Sequence, residues 1–414
     1  MKSIIVFVFV FLLSNFSFSQ GSSALWILSM EQSPVLNGMG MTGVSDLEVD
    51  PLSYYYNPAK LGFVTRKSNF SLMITPQNVD YLSTGFVTTR YHGLSLGYDF
   101  KELLNGIPVT IGIGYIHTVY KYSEFSIYYP NGTFAGKSSP IEYSNTFSLG
   151  AGIDYGIKAG IGLSIKPYYS SMGKYLNNGK LVEFETNGTA WDFGILFMYP
   201  VSELYFNNFS LELNRATLIK PLLEFSFGYS LQNFGKEVYY IDPSQSDPLP
   251  RSGRLGYSFN TGFQLETGGI SLNLFRYRFS AEAVDYLVDR DFTWSYTYNG
   301  IFGRITPFKN LLQLKGDSEV LIHKGHLFSF FDTFTFMLGS YTSFNQTINK
   351  TTGLMISSEG VFKLLNGFVD DNVFGFITKH VGVEYYKTKI AADSPMETDF
   401  EGISLYLKGI EFNF

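Results

Sequence analysis

The sequence predicts an all-β fold: a transmembrane antiparallel β-barrel of about 14 strands. Three observations carry this. Aromatic residues make up 18% of the chain and charged residues only 16%, against about 25% charged in ordinary soluble domains. Beyond Gln20, no apolar run approaches the roughly 18 residues that a membrane-spanning helix needs. Instead, several segments of about ten residues alternate with period two, the length a tilted strand needs to cross the hydrocarbon.

The first element is an export signal over residues 1–20. Lys2 gives the positive start, Ile4 to Leu13 are apolar throughout, and Ser17 and Ser19 put small residues at both recognition positions, so the cut falls before Gln20 or Gly21. That apolar run is too short for an anchoring helix.

Residues 21–67 do not read as a strand series. Gly38-x-Gly40-x-x-Gly43 matches a dinucleotide-binding fingerprint by letter. The fingerprint has meaning only between a buried strand and a helix, and here it is followed by Asp46, Glu48, Asp50 and Pro51. The physical reading is close packing, with glycines letting the backbone lie against a barrel wall or pass through its lumen.

The strands occupy residues 68–414. Phe147, Leu149, Ala151, Ile153 and Tyr155 share one face; Ser148, Gly150, Gly152, Asp154 and Gly156 share the other. The same division runs through 157–166, 223–232 and 255–266. A soluble sandwich also alternates, but glycine-rich faces make poor solvent faces and suit a crowded barrel interior. Tight turns are expected near Tyr155–Lys158 and Glu266–Gly269, facing the periplasm. Long outer loops are expected at 123–142, 171–188 and 235–251, and 202–220 is long where a short turn is due. The last strand is read as Gly402–Phe414 with a bulge at Gly409. Its Phe412 and Phe414 serve as the barrel-assembly signal.

Catalytic and metal chemistry finds little support. His323-x-x-His326 would place two imidazoles on opposite faces of a strand, a poor arrangement for shared ligation. His117 shares a face with Tyr115 and Val119, at the lipid interface or rim. The chain has no cysteine and a net charge of −6, with no basic run, so thiolate metal sites are excluded and nucleic-acid binding is unsupported. No cofactor and no enzymatic activity are expected. Lys158, Lys166, Glu224, Glu266 and Asp154 fall in the inward phase, as lumen charges that pair around whatever fills the barrel or as a substrate path, and Arg276 and Arg278 share the phase of Ile270, Leu272 and Leu274, a face then not lipid-facing to its end.

Gly38-Met39-Gly40, the Asp50-Pro51 step and Tyr56-Asn57-Pro58-Ala59 resemble the N-terminal signature of the FadL-type (OMPP1/TodX) barrels, a superfamily that includes the PorV and PorQ proteins of type IX secretion. His323-Lys324-Gly325 and the later Leu338-Gly339-Ser340-Tyr341 are similar to PorV-like strands, although Met337 stands where their arginine is usual. The resemblance implies an outer-membrane barrel of 14 strands with residues 21–67 as a plug or hatch in its lumen, marked by Gly38, Gly40, Gly43, Asp50, Pro51, Asn57, Pro58 and Ala59. It implies two functions. One is a secretion component that binds a translocon subunit and exported proteins; the other is a channel for hydrophobic small molecules, with Trp26, Met30, Leu36, Met39 and Met41 lining a pocket or, more simply, forming plug core. The Phe18-Ser19-Gln20 ending resembles exported proteins of the Bacteroidetes–Ignavibacteria group, which places the secretion reading first. Outer-membrane lipid is a partner in either case.

Overall fold

In the computed structural model, the described residues are 23–409 except 31, 48–49, 207–208, 215–216, 268–269, 292–294, 345 and 367–371. The export signal and the terminal Phe412 and Phe414 therefore lie outside the described residues.

The period-two segments form one antiparallel sheet of sixteen strands. Two of these, Val79–Asp80 and Leu211–Asn214, are short appendages, and the other fourteen close into a barrel. In chain order they are β1 (Phe70–Ile74), β2 (Val87–Asp99), β3 (Val109–Tyr122), β4 (Ile141–Tyr155), β5 (Ile157–Asn177), β6 (Lys180–Tyr199), β7 (Thr217–Gly235), β8 (Ser252–Thr267), β9 (Ile270–Tyr286), β10 (Val320–Phe330), β11 (Phe334–Thr342), β12 (Ile348–Ser357), β13 (Val381–Ala392) and β14 (Thr398–Leu407). Closure is made by β1, which pairs with β14 on one side and β2 on the other. Closure leaves no open sheet edge, as lipid requires of a strand-built protein.

Alternation sorts the side chains. Phe147, Leu149, Ile161, Phe193, Phe336 and Leu338 point outward and are exposed, while Ser148, Ser164, Ser226, Ser258 and Ser280 point inward and are buried. No described helix is long and apolar enough to cross a membrane. A closed barrel wearing an aromatic and aliphatic belt is at home only in lipid; the chain is a bacterial outer-membrane barrel. The rim where β1 begins and β14 ends is the periplasmic one. It carries the tight turns at Gly156 and at Phe331-Asp332, the latter with both residues in the left-handed region.

The structure corrects three expectations. Residues 171–188 are not a long loop, because β5 and β6 continue as one extended hairpin turning on Asn178-Gly179. Both turn residues have positive φ, 49° and 75°; Asn-Gly is a strong two-residue hairpin signal, here masked by the surrounding Asn, Gly and Ser. The last strand starts at Thr398 rather than Gly402 and is described to Leu407; Gly409 has a φ of +60°, and residues 410–414 of the expected strand lie outside the described residues. Arg276 and Arg278 do not share the phase of Leu272: Leu274 is an extra residue against the β8 ladder. That bulge turns both arginines inward.

Two connections leave the simple barrel plan. The outer connection 287–319 folds back over the outside of the wall. There the Tyr229 hydroxyl donates to the Ile301 carbonyl, and Leu311 joins Leu255, Ala283 and Ile322 in a buried cluster. The first helix, α1, is the short Pro34–Gly38; at the periplasmic rim, the stretch after β6 holds α2 (Val201–Tyr205) and the strand Leu211–Asn214, which pairs with the start of β7. Between β12 and β13 lie α3 (Ser358–Asn366) and α4 (Asn372–His380).

Candidate functional site: two cavities separated by a buried N-terminal segment

The described residues of 24–66 run down the lumen and are almost entirely buried. Their backbone, rather than their side chains, meets much of the wall. The 3-10 segment Pro58–Arg66 lies on the glycines of β3 to β5: a Cβ at Gly112 would overlap the Leu61 carbonyl, at Gly152 that of Gly62, and at Gly162 the Pro58–Ala59 peptide. Asn57 caps this segment by accepting from Ala59 N at 3.0 Å, and its amide donates to the carbonyls of Val44 (2.7 Å) and Ile195 (2.9 Å). Ala59 packs with Phe63 and Leu196.

The glycine motif packs the same way on the opposite wall. Gly38 lies against Gly353, and Gly40 meets Gly339 and the Lys324 carbonyl. Gly40 has a φ of +71°, so a side chain there is excluded by backbone conformation and by space. Its N–H donates to Thr351 Oγ1 at 2.8 Å, and the Thr351 hydroxyl lies 2.9 Å from the Gly38 carbonyl. Gly43 N and Val44 N donate to Glu282 Oε2 at 2.7 and 3.0 Å, and Glu282 is paired with Arg254. Asp50 accepts from the Ser33 hydroxyl and from Leu52 N, tying the start of the segment to its middle; Pro51 follows within this buried stretch. The N-terminal motif residues named from the sequence are thus all buried, Gly38 and Gly40 against β10 to β12 and Asn57, Pro58 and Ala59 against β5 and β6. His323 points inward to the Gly40 carbonyl and His326 outward to Tyr277.

Toward the periplasm, the segment ends in ionic contacts. Arg66 pairs with Glu224 and Lys67 with Glu384, each at 2.8 Å, and Arg278 of the wall pairs with Asp46 at 2.6 Å. Beneath lies a cavity of about 400 Å³, lined among others by Arg66, Lys67, Glu224, Arg276, Asp332 and Glu384, with Glu359 of α3 and Lys408 also on its lining.

The outer end is different in chemistry. The 3-10 turn Trp26–Ser29 is held at the outer rim: Ala24 N donates to the Pro248 carbonyl, Ile27 N to Glu142, and Asn233 Nδ2 to the Leu28 carbonyl. Above it is a second cavity of about 550 Å³ whose lining includes Leu25, Trp26, Phe86, Phe125, Met172 and Tyr175, with Tyr122 and Tyr240. Among the described residues its charged lining side chains are Glu142 and Asp247, the latter paired with Arg290. The floor is an apolar cluster of Leu25, Ile27, Leu28, Met30, Tyr120 and Tyr168. Below it sits the fully buried pair Lys166–Asp192 (2.6 Å), with the Lys166 ammonium 4.2 Å from the centre of the Tyr55 ring.

Of the side chains named from the sequence for a pocket, Trp26 alone lines one; Met30, Leu36, Met39 and Met41 are buried core. The aromatic lining was missed because its members come from β3, β5 and three outer connections, a convergence that no spacing reveals. Lys158 and Lys166 do point inward, Lys158 to Glu203 and Asp154. Asp192, the partner of Lys166, was not anticipated.

No family model matches the chain, and no curated protein matches it. Solved structures with a similar course include the Pseudomonas putida toluene transporter TodX (9% identity, 92% of this chain and 98% of that one, TM-score 0.42). The Ralstonia pickettii toluene transporter TbuX is similar at 10% identity, with 92% and 98% covered and a TM-score of 0.40. The β domain of the Bordetella autotransporter BrkA is similar at 10% identity over 82% of this chain and 98% of that one, with a TM-score of 0.31.

Proposed function

We propose that this barrel is a plugged outer-membrane channel that takes up small, uncharged hydrophobic molecules, with residues 21–67 as its hatch. The observation that carries the reading is the aromatic cavity at the outer rim. An apolar solute of small-aromatic size would bury roughly 150 Å² there. At about 25 cal/mol per Å² this is worth about 4 kcal/mol, a dissociation constant of about 1 mM, which suits capture and release. A carboxylate would meet the buried Glu142, while Asp247 is already paired with Arg290, so the lining favours neutral ligands. The way straight down is blocked by the hatch and opens into a charged vestibule that apolar solutes avoid. Sideways release into lipid is the route left.

The secretion role, placed first by the sequence reading, rests on the resemblance of residues 38–59 and 323–341, and the outer cavity reverses that order. The test is uptake of a radiolabelled neutral aromatic hydrocarbon by proteoliposomes carrying the wild type or Ala24→Phe, which fills the cavity beside Trp26. Wild-type uptake well above empty vesicles, and reduced severalfold in the variant, supports the channel. Equal uptake by all three sinks it.

A further inference from the structure

The periplasmic rim of a β-barrel ordinarily carries short polar turns. Here three insertions expose apolar side chains instead. Residues 100–108 between β2 and β3 present Leu103, Leu104 and Ile107; the α2 stretch between β6 and β7 presents Leu204, Tyr205 and Phe209; α3 and α4 between β12 and β13 present Leu364, Val373 and Phe376. Phe209 is 66% exposed and Val373 68%, values that a water-facing turn does not need.

We propose that these three insertions form a collar seated in the inner leaflet of the outer membrane, with their apolar side chains at the boundary between phospholipid headgroups and acyl chains. The first argument is sidedness. On α3, Glu359 and Lys363 face the vestibule, where they pair with Lys408 and Asp332. Val361, Leu364 and Leu365, spaced i, i+3 and i+4, form the opposite stripe and are 41–46% exposed. A helix with one face latched in polar contacts and the other bare and apolar lies in an interface.

The second argument is continuity with the lipid-facing belt. Val383, outward on β13, donates its N–H to Ser358 at the start of α3. Gly360 lies against the carbonyl of Phe331, itself exposed at the β10–β11 turn. On the far side of the barrel, the Tyr205 hydroxyl is 2.6 Å from that of Tyr199, at the outward end of β6, and Leu204 lies beside Gly156. Aromatic residues at this level make the girdle by which barrels sit in the interface.

The third argument is distribution. The insertions are spaced four, six and four strands apart around the ring of fourteen. Lipid surrounds a barrel on every side, whereas one protein partner covers one side. The collar fixes the depth and tilt of the barrel and so holds the outer cavity level with the outer surface.

The chain has no cysteine, so single labels are clean. Leu104→Cys, Leu204→Cys and Leu364→Cys are labelled with an environment-sensitive nitrobenzoxadiazole dye and reconstituted in phosphatidylcholine vesicles with and without a shallow nitroxide lipid. Leu149→Cys, on the outward belt, is the membrane reference, and Ser126→Cys, in an outer connection, the water reference. A blue-shifted emission quenched severalfold by the nitroxide at all three collar sites is the expected result. Emission like that of Ser126→Cys at any collar site overturns the collar. Labels that are wet in vesicles but shielded in native outer-membrane fragments overturn it in favour of a periplasmic protein.

Discussion

Two sectors of the wall hold the N-terminal segment by opposite means. Strands β2 to β6 offer glycine: Gly93, Gly97, Gly112, Gly114, Gly150, Gly152, Gly160, Gly162 and Gly194 all lack the Cβ that would strike the segment. The glycine backbone there meets segment backbone at Gly112, Gly152 and Gly162 and segment side chains such as Leu52, Tyr54 and Val64 elsewhere; the contact is set by shape, and insensitive to pH and salt. Strands β7 to β9 offer charge: Glu224 to Arg66, Arg278 to Asp46, and the Arg254–Glu282 pair to the amides of Gly43 and Val44. A buried pair costs several kcal/mol per ion to desolvate, and its attraction largely offsets that cost. It contributes register more than net stability. The first sector is a bed and the second a set of latches, so a gated plug would move off the second and pivot on the first.

The largest effect is expected from filling the bed. Gly162→Leu adds bulk where the Pro58–Ala59 peptide lies. Backbone cannot rotate away, so the cost exceeds the roughly 1–3 kcal/mol of an overpacked side-chain core. The segment should leave the lumen while the wall still closes. Planar-bilayer conductance should rise severalfold, and residues 24–66 should become cleavable by added protease. Ala159→Leu adds similar bulk on the outward face of the same strand and should change neither. Unchanged conductance in Gly162→Leu would show that the glycines do not seat the plug.

A smaller effect is expected from opening one latch. Arg278→Met takes the salt-bridge partner from the buried Asp46, a loss of about 3–5 kcal/mol. The pair is almost fully buried, with side chains 4% and 0% exposed. Because β2 to β6 still hold the segment, the variant should release it at lower urea concentration rather than spontaneously, as followed by proteolysis of residues 24–66. Asp46→Leu combined with Arg278→Met should recover most of the loss. A double variant as weak as the single one would mean that the pair does not act as a latch.

The same contrast explains what the sequence discloses. The bed was legible as far as the glycine face of 147–165, because period-two alternation reports which way each side chain points. The partner of that face was legible only through the resemblance of Asn57-Pro58-Ala59. The latches were half legible. Lys166 and Glu224 stood out as charges in the inward phase, but their partners did not: Asp192 is on the neighbouring strand β6 and Arg66 on the N-terminal segment, and pairing between distant parts of a chain leaves no local trace. The Leu274 bulge hid the inward aim of Arg276 and Arg278, since one inserted residue reverses every later side chain. The outer cavity was least legible: Phe86, Phe125 and Tyr240 come from separate connections, in a chain where aromatics are everywhere.

The smallest effect concerns the latch that lies outside the wall, and it separates charge from shape by pH. Burial pushes the Glu359 carboxyl up, but Lys408 and Lys363 more than offset this and hold it at about 2, below its ordinary 4.5. A depressed carboxylate contributes stability that is complete above the unfolded value and lost as pH falls through the folded one. Docking of α3 over the vestibule should therefore be steady from pH 7 to about 5 and weaken between about 4.5 and 2. A partly exposed network of this kind is worth about 1 kcal/mol, so the loss is local. Amide hydrogen exchange over residues 358–366, corrected for intrinsic rates, reads it directly, with residues 58–64 on the glycine bed as the internal reference. Glu359→Gln should lower protection of α3 at neutral pH and flatten its acid response, leaving the reference unchanged. Wild-type protection that persists to pH 2, or falls equally in both regions, would show that α3 is held by packing, as the N-terminal segment is on its glycine side.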